Sequence, residues 1–161
     1  MSEVLVLIDH ADGAVRKPTY ELLTIAKRLG EPSAVFIGPA EKAGEAVEAV
    51  KKYGAAKVYT VDDSEIKGYL VAPKAEALQQ LAEKTSPSAI LVSSSLEGKE
   101  IAGRLAIKLE SGLITDAVDV QAEGGTPVTT QSVFAGNYTV QAKVTKGTPI
   151  IAVKPLSLIH I

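Results

Sequence analysis

SPSAILVSSSLEGKEIAGRLAIKLESGLITDAVDV, residues 86–120, decides how the chain is read. Ala89 to Val92 is a short apolar run of the kind found in a strand covered on both faces. Three serines follow, and then Ile101, Leu105 and Leu109 recur at helical spacing on a segment whose other positions are largely charged or small. A buried strand, a tight polar turn and an amphipathic helix are half of a strand–helix–strand unit.

The same theme extends towards the amino terminus. Val4 to Ile8, Ala34 to Ile37 and Lys57 to Val61 read as three further buried strands, making four at fairly even spacing. Between the first two, Pro18 suits a first helical turn, Leu22, Ile25, Ala26 and Leu29 form one face, and Gly30 stands where a helix would end. A second helix carries Ala43, Ala46, Val47 and Val50 and stops at Tyr53-Gly54, and Pro73 opens a third with Leu78, Leu81 and Ala82. Strands alternating with helices predict an α/β, Rossmann-like open sheet, mainly parallel and flanked by helices.

After about Ile114 the pattern changes. Val118 and Val120, Val128 to Phe134, Tyr138 to Val144 and Ile150 to Val153 are separated by Gly124-Gly125, Gly136-Asn137 and Lys146-Gly147, and no helix fits between them. Tyr138, Val140, Ala142 and Val144 alternate with Thr139, Gln141 and Lys143, as a half-exposed antiparallel strand requires, and Gly136-Asn137 suits a two-residue hairpin loop. The last third is therefore read as an antiparallel hairpin region.

Composition bounds the function. The 161 residues are 46% hydrophobic, enough for one core, and their 17 basic and 19 acidic side chains leave a formal net charge of -2 with no basic stripe, so nucleic acid is not an expected partner. No cysteine is present, which excludes disulfides, thiolate-ligated metals and a thiol nucleophile. No run reaches the ~20 apolar residues of a membrane span. The start MSEVLVLIDH lacks the basic region of a signal peptide, so a cytoplasmic location and no membrane insertion are expected.

Candidate site residues collect where strands end. Ser94-Ser95-Leu96-Glu97 matches a capping box with Ser94 as the cap, and the same turn lies where helix amides can hold a phosphate. Gly98-Lys99 fails the P-loop pattern, which needs glycine at Ser93 and a hydroxyl at Glu100, and the first strand runs into Asp9-His10-Ala11-Asp12-Gly13 without the spaced glycines of a dinucleotide site. Asp9, His10 and Asp12 are the one histidine–carboxylate cluster in the body of the chain, read as a solvated turn with a general base or metal site as the sharper alternative. Glu100 and Arg104 are spaced for an exposed ion pair, and Gly103 inside a helix predicts close packing against a neighbouring strand or another subunit.

Glu97-Gly98-Lys99-Glu100, Ala102-Gly103-Arg104-Leu105-Ala106, Gly112-Leu113 and Asp116, together with Phe134-Ala135-Gly136-Asn137, resemble the amino-terminal domain of the electron transfer flavoprotein alpha subunit. The resemblance runs over most of Glu3 to Pro155 and divides the chain into a domain at 1–155 and a tail at 156–161. Leu156 to Ile161 has two readings, a segment foreign to the natural protein or an edge strand continuing Ile150 to Val153.

The resemblance implies a heterodimer that carries electrons on FAD from dehydrogenases to a quinone-linked or soluble acceptor. A carboxy-terminal domain supplies most FAD contacts, and the beta subunit binds AMP in many members. This chain is then a scaffold that packs against the beta subunit, with no catalytic residue, no metal ligand and no FAD of its own. Asp9, Ser94, Ser95 and Gly98 are the candidate ligand residues if a cofactor binds at all. The alternatives are a free-standing nucleotide-binding domain of universal-stress or ATP-hydrolase-like type, using Asp9 and the Ser93–Gly98 turn, and a small hydrolase built on Asp9 and His10.

Overall fold

The computed structural model describes residues 3–11, 13–62, 71–123, 126–133 and 138–154. In chain order the elements are β1 (Glu3–Leu7), a two-stranded ribbon of β2 (His10–Ala11) and β3 (Ala14–Val15), α1 (Lys17–Leu29), β4 (Glu31–Gly38) and a 3-10 turn (Ala40–Lys42). Next come α2 (Ala43–Lys52), β5 (Lys57–Asp62), α3 (Ala72–Thr85), β6 (Ala89–Ser93) and α4 (Leu96–Leu109). The last third holds β7 (Leu113–Glu123), β8 (Thr126–Val133), β9 (Tyr138–Ala142) and β10 (Ile150–Val153). Apart from the ribbon, the strands form one eight-stranded sheet in the order β5-β4-β1-β6-β10-β7-β8-β9.

Every pairing from β5 to β7 is parallel, and β7–β8 and β8–β9 are antiparallel. The α/β reading and the antiparallel region both hold. Two helix layers account for the continuous apolar runs. Val4 and Val6, Ala34 and Phe36, Ala89 and Leu91, and Ile151 and Val153 face α1 and α2. Their neighbours Leu5 and Leu7, Val35 and Ile37, Ile90 and Val92, and Ile150 and Ala152 face α3 and α4. With side chains alternating along a strand, a sheet covered on both sides needs apolar residues at every position.

Three expectations need correction. β5 is not a fourth buried strand: it lies at the sheet edge and none of its residues is fully buried, because only β4 flanks it. β10 does not belong with the antiparallel strands. It inserts between β6 and β7, parallel to both, and all four of its residues are buried. β9 is the other edge, and the face that should be covered leaves Val140 44% exposed, since the helices that pack on the sheet reach no further than β7. The Gly136-Asn137 loop, Gly124-Gly125, Phe134, Asp12 and Leu156 to Ile161 lie outside the described residues.

Candidate functional site

The order in which strands are added reverses between β1 and β6: β4 and β5 are added on one side of β1, and β6 and β10 on the other. In open α/β sheets the crevice beyond the strand ends at such a point is the usual ligand position. Here it is a solvent-open cleft whose lining includes Asp9, His10, Lys74, Ser95, Glu97 and Gly98. Three of the four candidate residues thus come together, and Ser94 does not.

The side chains of Asp9, His10, Lys74, Ser95 and Glu97 at the cleft each have a partner from their own chain. The Asp9 carboxylate accepts from Arg16 at 2.8 Å, and its backbone amide donates to the Thr19 hydroxyl at 2.9 Å, so Asp9 ties the end of β1 to the start of α1. His10 accepts at Nδ1 from the Gly13 amide at 3.0 Å, which leaves Nε2 to donate to the Ile37 carbonyl at 2.9 Å. Its ring stacks on Phe36 with centroids 4.4 Å apart. Both imidazole nitrogens of this half-buried histidine are engaged, so it has no free lone pair to offer a proton or a metal. Among the described residues no group of three or more metal-ligating side chains converges.

The capping box is shifted by one residue. Ser95 caps α4, its Oγ accepting from the Gly98 amide at 3.0 Å, and the residue three positions into the helix is glycine, which cannot reach back. Ser94 is drawn elsewhere. Its amide donates to the Val153 carbonyl at 2.8 Å and its hydroxyl to Asp116 at 2.8 Å. Glu97 pairs with Lys74 of α3. Lys74 was not singled out in the sequence, although a basic residue just after Pro73 at a helix start is a signal of sorts.

Gly98 has a packing reason. A Cβ there would sit 1.9 Å from the Ser93 carbonyl oxygen, so only glycine lets the first turn of α4 close on the end of β6. Gly103 does not fit its expectation within this chain, since a Cβ there meets nothing within 4 Å.

A second cluster stands beside the cleft, where β7 leaves the parallel sheet. Asp116 has a left-handed backbone, φ 54°, at the place where the pairing register of β7 shifts. Its carboxylate lies 2.9 Å from the Lys99 ammonium, and that contact, the Ser94 hydrogen bond and nearby Lys154 hold it below the usual carboxylate range against the opposing effect of partial burial. The Glu100–Arg104 pair forms as expected, at 3.4 Å and exposed.

Residues 4–158 match the family model described as the electron transfer flavoprotein domain. The chain is 45% identical over 154 residues to "Electron transfer flavoprotein subunit alpha" of Mycobacterium tuberculosis (strain CDC 1551 / Oshkosh), covering 96% of this chain and 48% of that protein. The protein of the same name from Mycobacterium leprae (strain TN) is 42% identical over the same shares of the two chains. "Lactate dehydrogenase (NAD(+),ferredoxin) subunit LctC" of Acetobacterium woodii is 33% identical over 146 residues, 86% of this chain and 34% of that one. The chain belongs to the electron transfer flavoprotein family, as its sequence resemblance implied, and spans about half the length of the mycobacterial relatives.

Proposed function

We propose that this member of the electron transfer flavoprotein family is the amino-terminal scaffold domain of an alpha subunit, which packs against a beta subunit in an FAD-containing electron carrier. The observation that carries the reading is 45% identity to a protein named as such an alpha subunit, over 96% of this chain but only 48% of that protein. FAD in the whole complex would move electrons from dehydrogenases to a quinone-linked acceptor in the cytoplasm, and AMP belongs to the partner subunit. In this reading residues 1–155 are the amino-terminal domain and 156–161 a tail, foreign to the natural protein or an edge strand continuing Ile150 to Val153.

In this reading the domain holds no flavin of its own. At the cleft, Asp9, His10, Ser95 and Glu97 already have partners from the chain, and the Glu97 carboxylate stands in the first turn of α4, where its charge opposes a pyrophosphate. No catalytic step is assigned to this chain. No described helix is long and apolar enough to cross a membrane.

Co-purification with a beta subunit from the same genome tests the scaffold reading, with capture expected at tens of micromolar, where even an interface of ~8 kcal/mol registers. Absence of capture by well-folded chain rejects it. Incubation with excess FAD and desalting should leave the protein colourless, and retention of about one flavin per chain would show that the domain is more than a scaffold.

The switch-point cleft is the feature that speaks for the alternative, a nucleotide-binding domain. Calorimetric titration with ATP and AMP should show negligible heat. Micromolar binding that is lost in Lys74→Ala or Asp9→Ala would move the function to that alternative.

A further inference from the structure

Among the described residues the buried polar side chains are Thr19, Ser33, Ser93 and Thr129. Three of them are hydrogen-bonded. The Thr19 hydroxyl accepts from the Asp9 amide, Ser33 donates to Glu3, and Thr129 donates to the Ala142 carbonyl. Ser93 is the exception: it is 6% exposed, and its hydroxyl has no hydrogen-bond partner in the chain. A buried hydroxyl left in that state costs stability, so native chains rarely keep one without a use for it. Ser93 ends β6 and lines the switch-point cleft. The Glu97 backbone amide, in the first turn of α4 at the same cleft, also lacks an acceptor among the described residues.

We propose that the cleft is a binding site for a small uncharged ligand that carries a carboxamide on an apolar body. The absence of charge follows from the ionised groups around it. Asp9 is paired with Arg16 and Lys74 with Glu97, and the His10 ring, accepting at Nδ1 and donating at Nε2, is neutral. A charged ligand would have to open one of these pairs or enter with no counter-charge, and either leaves an unpaired charge partly desolvated. The carboxamide follows from the groups left over: its carbonyl can accept from the Glu97 amide or the Ser93 hydroxyl, and its N–H can donate to the Ser93 oxygen. The apolar body follows from Leu7, Ile8, Ile37 and Ile101, which line the same cleft and are each no more than 9% exposed. Apolar walls with a few convergent polar groups, at a switch point, are the usual make-up of a small-molecule site.

Benzamide is the probe, titrated into the full chain at pH 7 and followed by the backbone amide resonances. Saturable shifts at Asp9, His10, Glu97 and Gly98 are expected, with a dissociation constant on the order of 0.1–1 mM. Benzoate, the same shape with a charge, should bind at least ~10-fold more weakly, and so should acetamide, which lacks the apolar body. Ser93→Ala should weaken benzamide at least ~5-fold. Because that variant removes a hydroxyl with no partner in the chain, its melting temperature should not fall. No saturable shift at the cleft up to 10 times the upper constant overturns the proposal, as does benzoate binding as tightly as benzamide. A Ser93→Ala chain that melts earlier but binds benzamide unchanged would make Ser93 a structural residue and overturn it too. None of these outcomes depends on capture of a beta subunit.

Discussion

The parallel half of the sheet and its antiparallel arm are made of similar residues and reach opposite ends of burial. In β1, β6 and β10 almost every side chain is buried, whereas Val140 of β9 is 44% exposed although it sits on the face that alternation marks as apolar. The difference lies in the connections. Each parallel step from β1 to β6 needs a crossover, the crossover is a helix, and the helix covers the sheet. β7, β8 and β9 follow one another without a helix, so no layer is added, and the cover stops at β7. An apolar pattern indicates a face able to be buried; the topology decides whether anything buries it.

Truncation in the two regions breaks or sharpens this contrast most strongly. Leu91→Ala in β6 removes a fully buried side chain and should lower unfolding free energy by about 2–5 kcal/mol. Val140→Ala should change it by less than about 0.5 kcal/mol. Urea denaturation of both variants measures the pair, and equal losses would mean that the arm is covered after all.

Next in size is the junction. Gly98→Ala would force a Cβ to within 1.9 Å of a backbone oxygen that no side-chain rotation can clear, so α4 must move off β6. A loss of about 2–4 kcal/mol is expected, and a loss under about 1 kcal/mol would show that the helix start is not held by β6.

The opposite sign is expected one face away. Gly103→Ala, in open space, should raise stability by about 0.5–1 kcal/mol through helix propensity. A destabilised Gly103→Ala monomer would point to a contact that the fold as described does not contain.

The smallest effect is electrostatic. Asp116, where the arm leaves the sheet, and Glu3, at the base of the parallel half, both titrate below their ordinary values. Burial raises Glu3, but hydrogen bonds from Ser33 at 2.8 Å, Tyr59 at 2.9 Å and Lys57 at 3.2 Å outweigh it. For a depressed carboxyl the stabilisation is fully present above the unfolded value of about 3.9–4.3 and is lost as pH falls through the folded value. Thermal melts should therefore be level from pH 7 to about 5 and decline below about 4. Asp116→Asn should flatten the decline slightly, by no more than about 0.5–1 kcal/mol, since the Asp116 side chain is 49% exposed. Stability that rose on acidification from pH 5 to 3 would contradict the sign.

Much of the fold was legible in the chain because its signals are local. The runs of β1, β4 and β6, the helical stripe Leu22–Ile25–Ala26, and Pro18 and Pro73 at helix starts depend only on residues within a few turns of each other. The helix ends were less legible, because α3 and α4 terminate on left-handed Ser86 and Glu110 rather than on glycine. The cap of α4 was misplaced by one residue. Ser94 and Ser95 are equivalent as local caps, and what separates them is Asp116, 22 positions on from Ser94, with a carboxylate that claims the Ser94 hydroxyl. The contacts of His10 were not legible for a related reason: its stacking partner Phe36 and its acceptor Ile37 lie on a different strand.

The amino-acid sequence by itself determined which segments are strands and helices, which faces can be buried, that cysteine chemistry is excluded, and to which family the chain belongs. Only the tertiary structure decided that β10 enters the sheet between β6 and β7, that β5 and β9 are its edges, that Asp9, Ser95 and Gly98 share a cleft while Ser94 serves the junction, and that Leu96, Gly103 and Ile107 remain uncovered. Periodicity and capping act over one or two turns and can be read along the chain. Strand order, and the identity of whatever lies over an apolar face, depend on pairings between residues distant in sequence, which local pattern does not encode.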